Sequence, residues 1–165
     1  MNRILIGLAL VLLDWKLTLG TVVFELLPDF VGFFLVMKGM EGLREETVWF
    51  DRGRHVAFAL MLASLVLYGG NLMNPDAMTR VLLWGLELGV ICGKLWLLRQ
   101  VLKGCEDFRK DNGPETAKGM LPVLAAVRLV GHLVGWIPLV GEIAEIAAIV
   151  VALIFLAALW KGIRK

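Results

Sequence analysis

The chain has 165 residues, of which 59% are hydrophobic, and a formal net charge of +2, with a mean hydropathy of +0.78. That length suits one domain, and the apolar share exceeds the roughly one-half, glycine included, that a soluble domain carries, so a soluble domain is excluded. The near-balanced charge, with no basic cluster among interleaved aromatics, excludes a nucleic-acid partner.

A spanning helix needs about 20 mostly apolar residues, and the chain divides into six segments near 4–24, 28–43, 50–70, 75–102, 119–135 and 138–160. The first is compromised. Residues 1–13 resemble a signal peptide, yet Asp14-Trp15-Lys16 follows with no small-x-small cleavage site, so an uncleaved segment is expected. It reads either as one helix with Asp14 and Lys16 buried or as a backbone broken between Asp14 and Gly20. The coincidence of charge and glycine favours the break. The second segment opens on Pro28-Asp29. Proline suits a first helical turn, and Asp29 meets the positive end of the helix dipole. Gly32 and Gly39, seven residues apart, share a face that lets a neighbour approach, and Lys38 is long enough to snorkel.

Residues 41–54 read as a charged loop, and a third helix runs to Gly69-Gly70. Pro75-Asp76 repeats the Pro-Asp opening before the fourth helix. Residues 105–118 are the most polar stretch, with Asn112-Gly113-Pro114 as a turn. The fifth helix follows, and Trp136-Ile137-Pro138 makes a tight turn into the sixth. Most Lys and Arg fall on one side of this arrangement, including Arg3, Arg44, Arg52, Arg54, Arg99, Lys103, Lys118 and Lys161. The positive-inside rule then puts both termini in the cytoplasm. Trp49 and Trp160 would mark the inner interface, Trp15 and Trp136 the outer one. Three helix ends share a faint Lys-Gly pattern, at Lys38-Gly39, Lys103-Gly104 and Lys161-Gly162. Any returning helix that ends in snorkelling cations would show the same.

The fourth helix has two faces. Gly85, Gly89 and Gly93 form a small-residue ladder, while Arg80, Glu87 and Lys94 line the opposite side at 100° per residue. Intramembrane charges are costly and by default suggest function. Lys38 lies at a depth similar to Glu87, so a Lys38–Glu87 pair is feasible. In the last hairpin, antiparallel counting puts Arg128 opposite Glu145 and His132 opposite Gly141-Glu142. Two acids then oppose a cation and a titratable imidazole. This is either a substrate-anchoring or proton site, or a neutralised hairpin clamp built on Gly131, Gly135 and Ala148. Asp14, Glu25, Asp29 and Asp76 fall at the outer ends with Glu142 near them, where they read either as an acidic vestibule that attracts cations or as helix-start acids facing water.

No catalytic set is present: no Ser-His-Asp arrangement, no HExxH, no GxSxG. The two cysteines, Cys92 and Cys105, sit in unlike surroundings, and no Cys/His spacing suits zinc. No cofactor and no metal are expected, and the chain is not expected to be an enzyme.

The stretch Leu27-Pro28-Asp29-Phe30-Val31-Gly32, after a short apolar segment and Asp14, resembles a group of small bacterial polytopic membrane proteins with an L-P-D-x-x-G helix opening. The resemblance covers about the first third of the chain. It implies a bacterial inner membrane and no particular activity. Size and helix count are also similar to those of the substrate-binding membrane subunits of vitamin transporters. The expectation is therefore an all-α integral membrane bundle of about six segments, the first short or broken. Its partners would be the lipid bilayer and a membrane protein or further copies of itself. The leading function class is a non-enzymatic component of a membrane complex or a small homo-oligomer. The alternative is a small transporter or channel for a cation or small solute, using Arg128, His132, Glu142, Glu145, Glu87 and Lys94 beside a broken helix.

Overall fold

The computed structural model describes residues 1–13, 16–19, 22–25, 29–72, 76–109, 114–135 and 137–164. Expectations resting on Asp14, Trp15, Gly20, Pro28 and Trp136, and on the side chains of Lys16 and Glu25, lie outside the described residues. Among the described residues the chain forms six helices and one short antiparallel hairpin, in the order α1 (Asn2–Leu12), β1 (Lys16–Leu19), β2 (Val22–Glu25), α2 (Asp29–Glu41), α3 (Val48–Leu72), α4 (Ala77–Arg109), α5 (Glu115–Val134) and α6 (Pro138–Arg164). Four of them contain stretches long and apolar enough to cross a membrane: Val48–Gly70, Met78–Phe108, Glu115–Val134 and Val140–Gly162. The chain is a helical membrane bundle.

The first segment does not continue as a helix to residue 24. Helix α1 stops at Leu12, and β1 pairs with β2 in a register that sets Lys16 opposite Glu25 and Leu19 opposite Val22. The reason is local. Thr18, Val22 and Val23 are β-branched, which favours extended backbone. A two-residue Gly-x connection between such runs is a hairpin signal. With 11 residues, α1 rises about 16 Å, roughly half of a ~30 Å hydrocarbon core. Helix α2, with 13 residues, is also too short to span. The two half-length helices run antiparallel and end close together.

The charged boundaries differ from expectation. Helix α3 begins at Val48, inside the stretch read as loop, and the Thr47 hydroxyl accepts a hydrogen bond from the Phe50 N–H at 3.4 Å, a side-chain N-cap. Helix α4 continues past Leu102 to Arg109, and α5 starts at Glu115 rather than near residue 119. Polar side chains do not stop a helix that emerges from lipid into water, because its backbone bonds remain internal.

Close approach holds the half-helices in place. A Cβ built on Gly7 would lie 2.6 Å from the carbonyl oxygen of Gly32, and one on Gly39 would lie 2.9 Å from the backbone nitrogen of Ile4. Around this contact, Ile4, Leu8, Val11, Phe33, Val36 and Met40 are buried and join Phe50, Leu97, Leu98, Leu124, Phe155 and Leu159 in one core. Helix α1 packs against α2 and α6, α3 against α2 and α4, α5 against α4 and α6, and β2 lies against α3. Gly39 meets Ile4, Gly104 meets Phe50 and Gly162 meets Pro114. The starts of α1, α3 and α5 therefore share one end of the bundle with the finishes of α2, α4 and α6.

Candidate functional site

The helix ends that meet inside the bundle set up the site. The last carbonyls of a helix have no partner within it, nor have the first N–H groups, and in lipid such groups must be satisfied by protein or water. The end of α1 meets this demand with side chains from distant helices. Arg128 on α5 donates from Nη2 to the carbonyl oxygen of Leu12, and Lys94 on α4 donates to that of Val11 at 3.5 Å. Both cations sit at the negative end of the α1 dipole. Lys94 Nζ also forms an ion pair with Asp29 Oδ2 in the first turn of α2. The two side chains keep only 13% and 10% of their surface exposed, so this is a buried pair rather than a helix-start acid facing water. Phe33 lies beneath, with Lys94 Nζ 5.9 Å from its ring centroid.

A cavity of about 660 Å³ opens beside these groups, between the α5–α6 hairpin and the rest of the bundle. Leu12, Asp29 and Leu67 contribute to its wall. Helix α4 adds Trp84, Glu87, Ile91, Lys94 and Leu98, α5 adds Leu124, Arg128, Gly131 and His132, and α6 adds Glu145, Ala148 and Ile149. Lys94 is one residue from the centre of the apolar span Met78–Phe108. The His132 ring stacks on Trp84, centroids 5.1 Å apart and planes inclined by 17°. His132 Nε2 is shut off from solvent and has no hydrogen-bond partner among the described residues.

Five of the residues singled out from the sequence, Glu87, Lys94, Arg128, His132 and Glu145, thus line one cavity. Glu142 is exposed on α6 and does not contribute to the wall. Lys38 does not reach Glu87; it pairs with Glu41 at 2.7 Å within its own helix. That pair stands at the end of α2, where the adjacent ammonium holds the Glu41 carboxyl below its ordinary range. Arg128 does not pair with Glu145, because the hairpin register sets Gly131 against Ala144, about two residues away from simple turn counting. Among the described residues Glu145 makes no ion pair. Of the glycine ladder, Gly93 packs against Leu60 of α3, while nothing lies within 4 Å of a Cβ built on Gly85 or Gly89.

Sequence reasoning did not connect Asp29 with Lys94, and no spacing rule joins residues 65 positions apart. It also passed over Trp84, for which a signal existed. Trp84, Glu87, Ile91 and Lys94 recur at three- and four-residue steps, which puts the indole on the charged face of α4. Among the described residues no three His, Cys, Asp or Glu side chains are grouped to hold a metal ion. No protein-family model, no curated protein and no solved structure matches the chain.

Proposed function

We propose that this protein binds a small solute in the cavity between α5–α6 and the rest of the bundle, and carries it across the membrane. The observation that supports this most is the meeting of two half-length helices with Lys94, Arg128 and Asp29 at the wall of a cavity of about 660 Å³. Small-molecule sites typically enclose about 300–1,000 Å³. Broken helices whose ends converge near the middle of the bilayer are how many transporters expose backbone dipoles to a substrate. The α5–α6 hairpin packs most extensively on itself and more sparingly on α4 and α1, so it is the element whose rocking would open the cavity to either side. Lys and Arg concentrated at one end of the bundle favour an orientation with both termini in the cytoplasm. The L-P-D-x-x-G opening favours a bacterial inner membrane.

A second reading, as a component of a membrane complex or homo-oligomer, draws on the open space around Gly85 and Gly89, where another helix could approach closely. Proteoliposomes separate the two. Vesicles carrying the protein are exposed to the small-molecule fraction of a bacterial extract, and the lumen is analysed by mass spectrometry. Transport predicts at least one solute that enters these vesicles and not protein-free ones, and whose entry is lost in Ile91→Trp, which fills the cavity. If no such solute enters, transport is rejected and the component reading takes its place.

A further inference from the structure

We infer that the solute is an organic cation, an ammonium group on an apolar body, with its charge held between Glu145 and Trp84. This rests on the solute-binding role proposed above. The charged side chains on the wall are Asp29, Glu87, Glu145, Lys94 and Arg128. Both cations are also engaged within the protein: Lys94 by Asp29 and the Val11 carbonyl, Arg128 by the Leu12 carbonyl. An anionic solute would have to displace these contacts and strip the end of α1 of its donors. Glu145, in contrast, makes no ion pair or hydrogen bond among the described residues. A carboxylate within a membrane span is costly unless it faces water or a partner, and a cation supplies that partner.

The neighbouring groups point to the kind of cation. Trp84 is the ring best suited to attract an ammonium group, and its stacking on His132 at 5.1 Å fixes the plane it presents. His132 itself lines the same wall. A bare metal ion would require several converging oxygen or imidazole ligands, and no such group occurs among the described residues. Much of the remaining wall is aliphatic, including Ile91, Leu124 and Ile149, which suits hydrocarbon next to the charge.

The test uses the full chain in phosphatidylglycerol nanodiscs with benzyltrimethylammonium as probe, followed by titration calorimetry. Its uncharged carbon isostere, neopentylbenzene, serves as competitor. Saturable binding is expected, weakened at least tenfold by Glu145→Gln and by Trp84→Leu, and unchanged by Glu142→Gln, which lies outside the cavity wall. Circular dichroism establishes that each variant folds. Should Glu145→Gln fail to do so, Glu145→Asp keeps the charge and is expected to bind with intermediate strength. The inference is overturned if the wild-type protein shows no saturable binding, if Glu145→Gln and Glu145→Asp both bind as wild type does, or if neopentylbenzene competes as well as the cation. Competition by added phosphatidylethanolamine would support the ammonium site and identify a lipid headgroup as its source, whereas no competition would assign it to a free solute. A solute found in the extract experiment together with failure here would leave transport standing and remove only the charge assignment. Failure of both would remove the cavity as a binding site.

Discussion

The α1–α2 pair and the α5–α6 pair are both antiparallel helical hairpins, but they are held together differently. Between α1 and α2 the backbones nearly touch at Gly7 and Gly32, and the residues around that contact are buried. Between α5 and α6 the backbones come this close only beside the turn, where a Cβ on Gly141 would lie 2.8 Å from the Gly135 carbonyl oxygen; farther along the approach is looser, with a Cβ on Gly131 lying 3.3 Å from that of Ala144. Val130, Leu133, Ile143, Ile146, Val150 and Ile154 stay exposed. The difference follows from length. A full-length helix satisfies its own backbone across the bilayer and can give its apolar surface to lipid. A half-length helix ends where there is little water, so protein must surround it and supply partners to its terminal groups. Hydrophobicity alone does not distinguish the two cases, because lipid tails are as apolar as a leucine side chain.

The strongest way to break the comparison is to remove a partner from the half-helix ends. Lys94→Met leaves Asp29 buried without its ammonium, and loss of one member of a buried pair costs about 3–5 kcal/mol. Denaturant unfolding in mild detergent is expected to show a loss of that size, partly recovered in the Lys94→Met/Asp29→Leu double variant. An unchanged midpoint would mean that the ends of α1 and α2 are satisfied by water.

Next in size is the glycine contact. Gly7→Ala puts a methyl group 2.6 Å from a backbone oxygen, and overpacking of this kind costs about 1–3 kcal/mol. Gly85→Ala has nothing within 4 Å to meet and exchanges a poor helix former for the best one, so it is expected to be neutral or slightly stabilising. If Gly85→Ala proved as damaging as Gly7→Ala, a second chain would have to pack on α4, and the component reading would gain what transport lost.

The smallest effect concerns the start of α4, outside the apolar span. The Asp76 carboxylate accepts a hydrogen bond from the Thr79 N–H at 3.1 Å, and hydrogen bonding by the Thr79 side chain, with this backbone bond second, holds its pKa below the ordinary aspartate value. A lowered folded-state pKa stabilises above the unfolded value near 3.9 and loses that stabilisation as pH falls through the folded one. Asp76→Ala should therefore lower stability slightly at pH 7. The gap to wild type should shrink as the pH is taken below about 4; a gap that persisted undiminished in acid would show that the carboxylate charge contributes nothing to the cap.

Much of this architecture is legible in the residues themselves. Uncharged runs mark the long helices, because a spanning segment has no other composition available to it. The charges of α4, α5 and α6 stand out for the same reason, and five of those flagged as candidates line the cavity. The hairpin at residues 16–25 was legible in principle, since β-branched residues flank Gly20-Thr21, but apolar continuity concealed it. Helix α2 was legible in its opening and its glycines, though not in the fate of Asp29.

The amino-acid order by itself determined where helices could form, which positions carried charge in an apolar setting, and where α1 would yield to extended backbone. Only the tertiary structure decided which charges met. Lys94 joins Asp29 across 65 residues, and Arg128 caps α1 across 116. Those partners are set by helix lengths, tilts and interhelical register, and register within the α5–α6 hairpin alone departs from turn counting far enough to take Arg128 away from Glu145. The physical reason is that periodicity specifies the face of a helix on which a side chain lies, whereas its partner depends on which other helix end stops at the same depth.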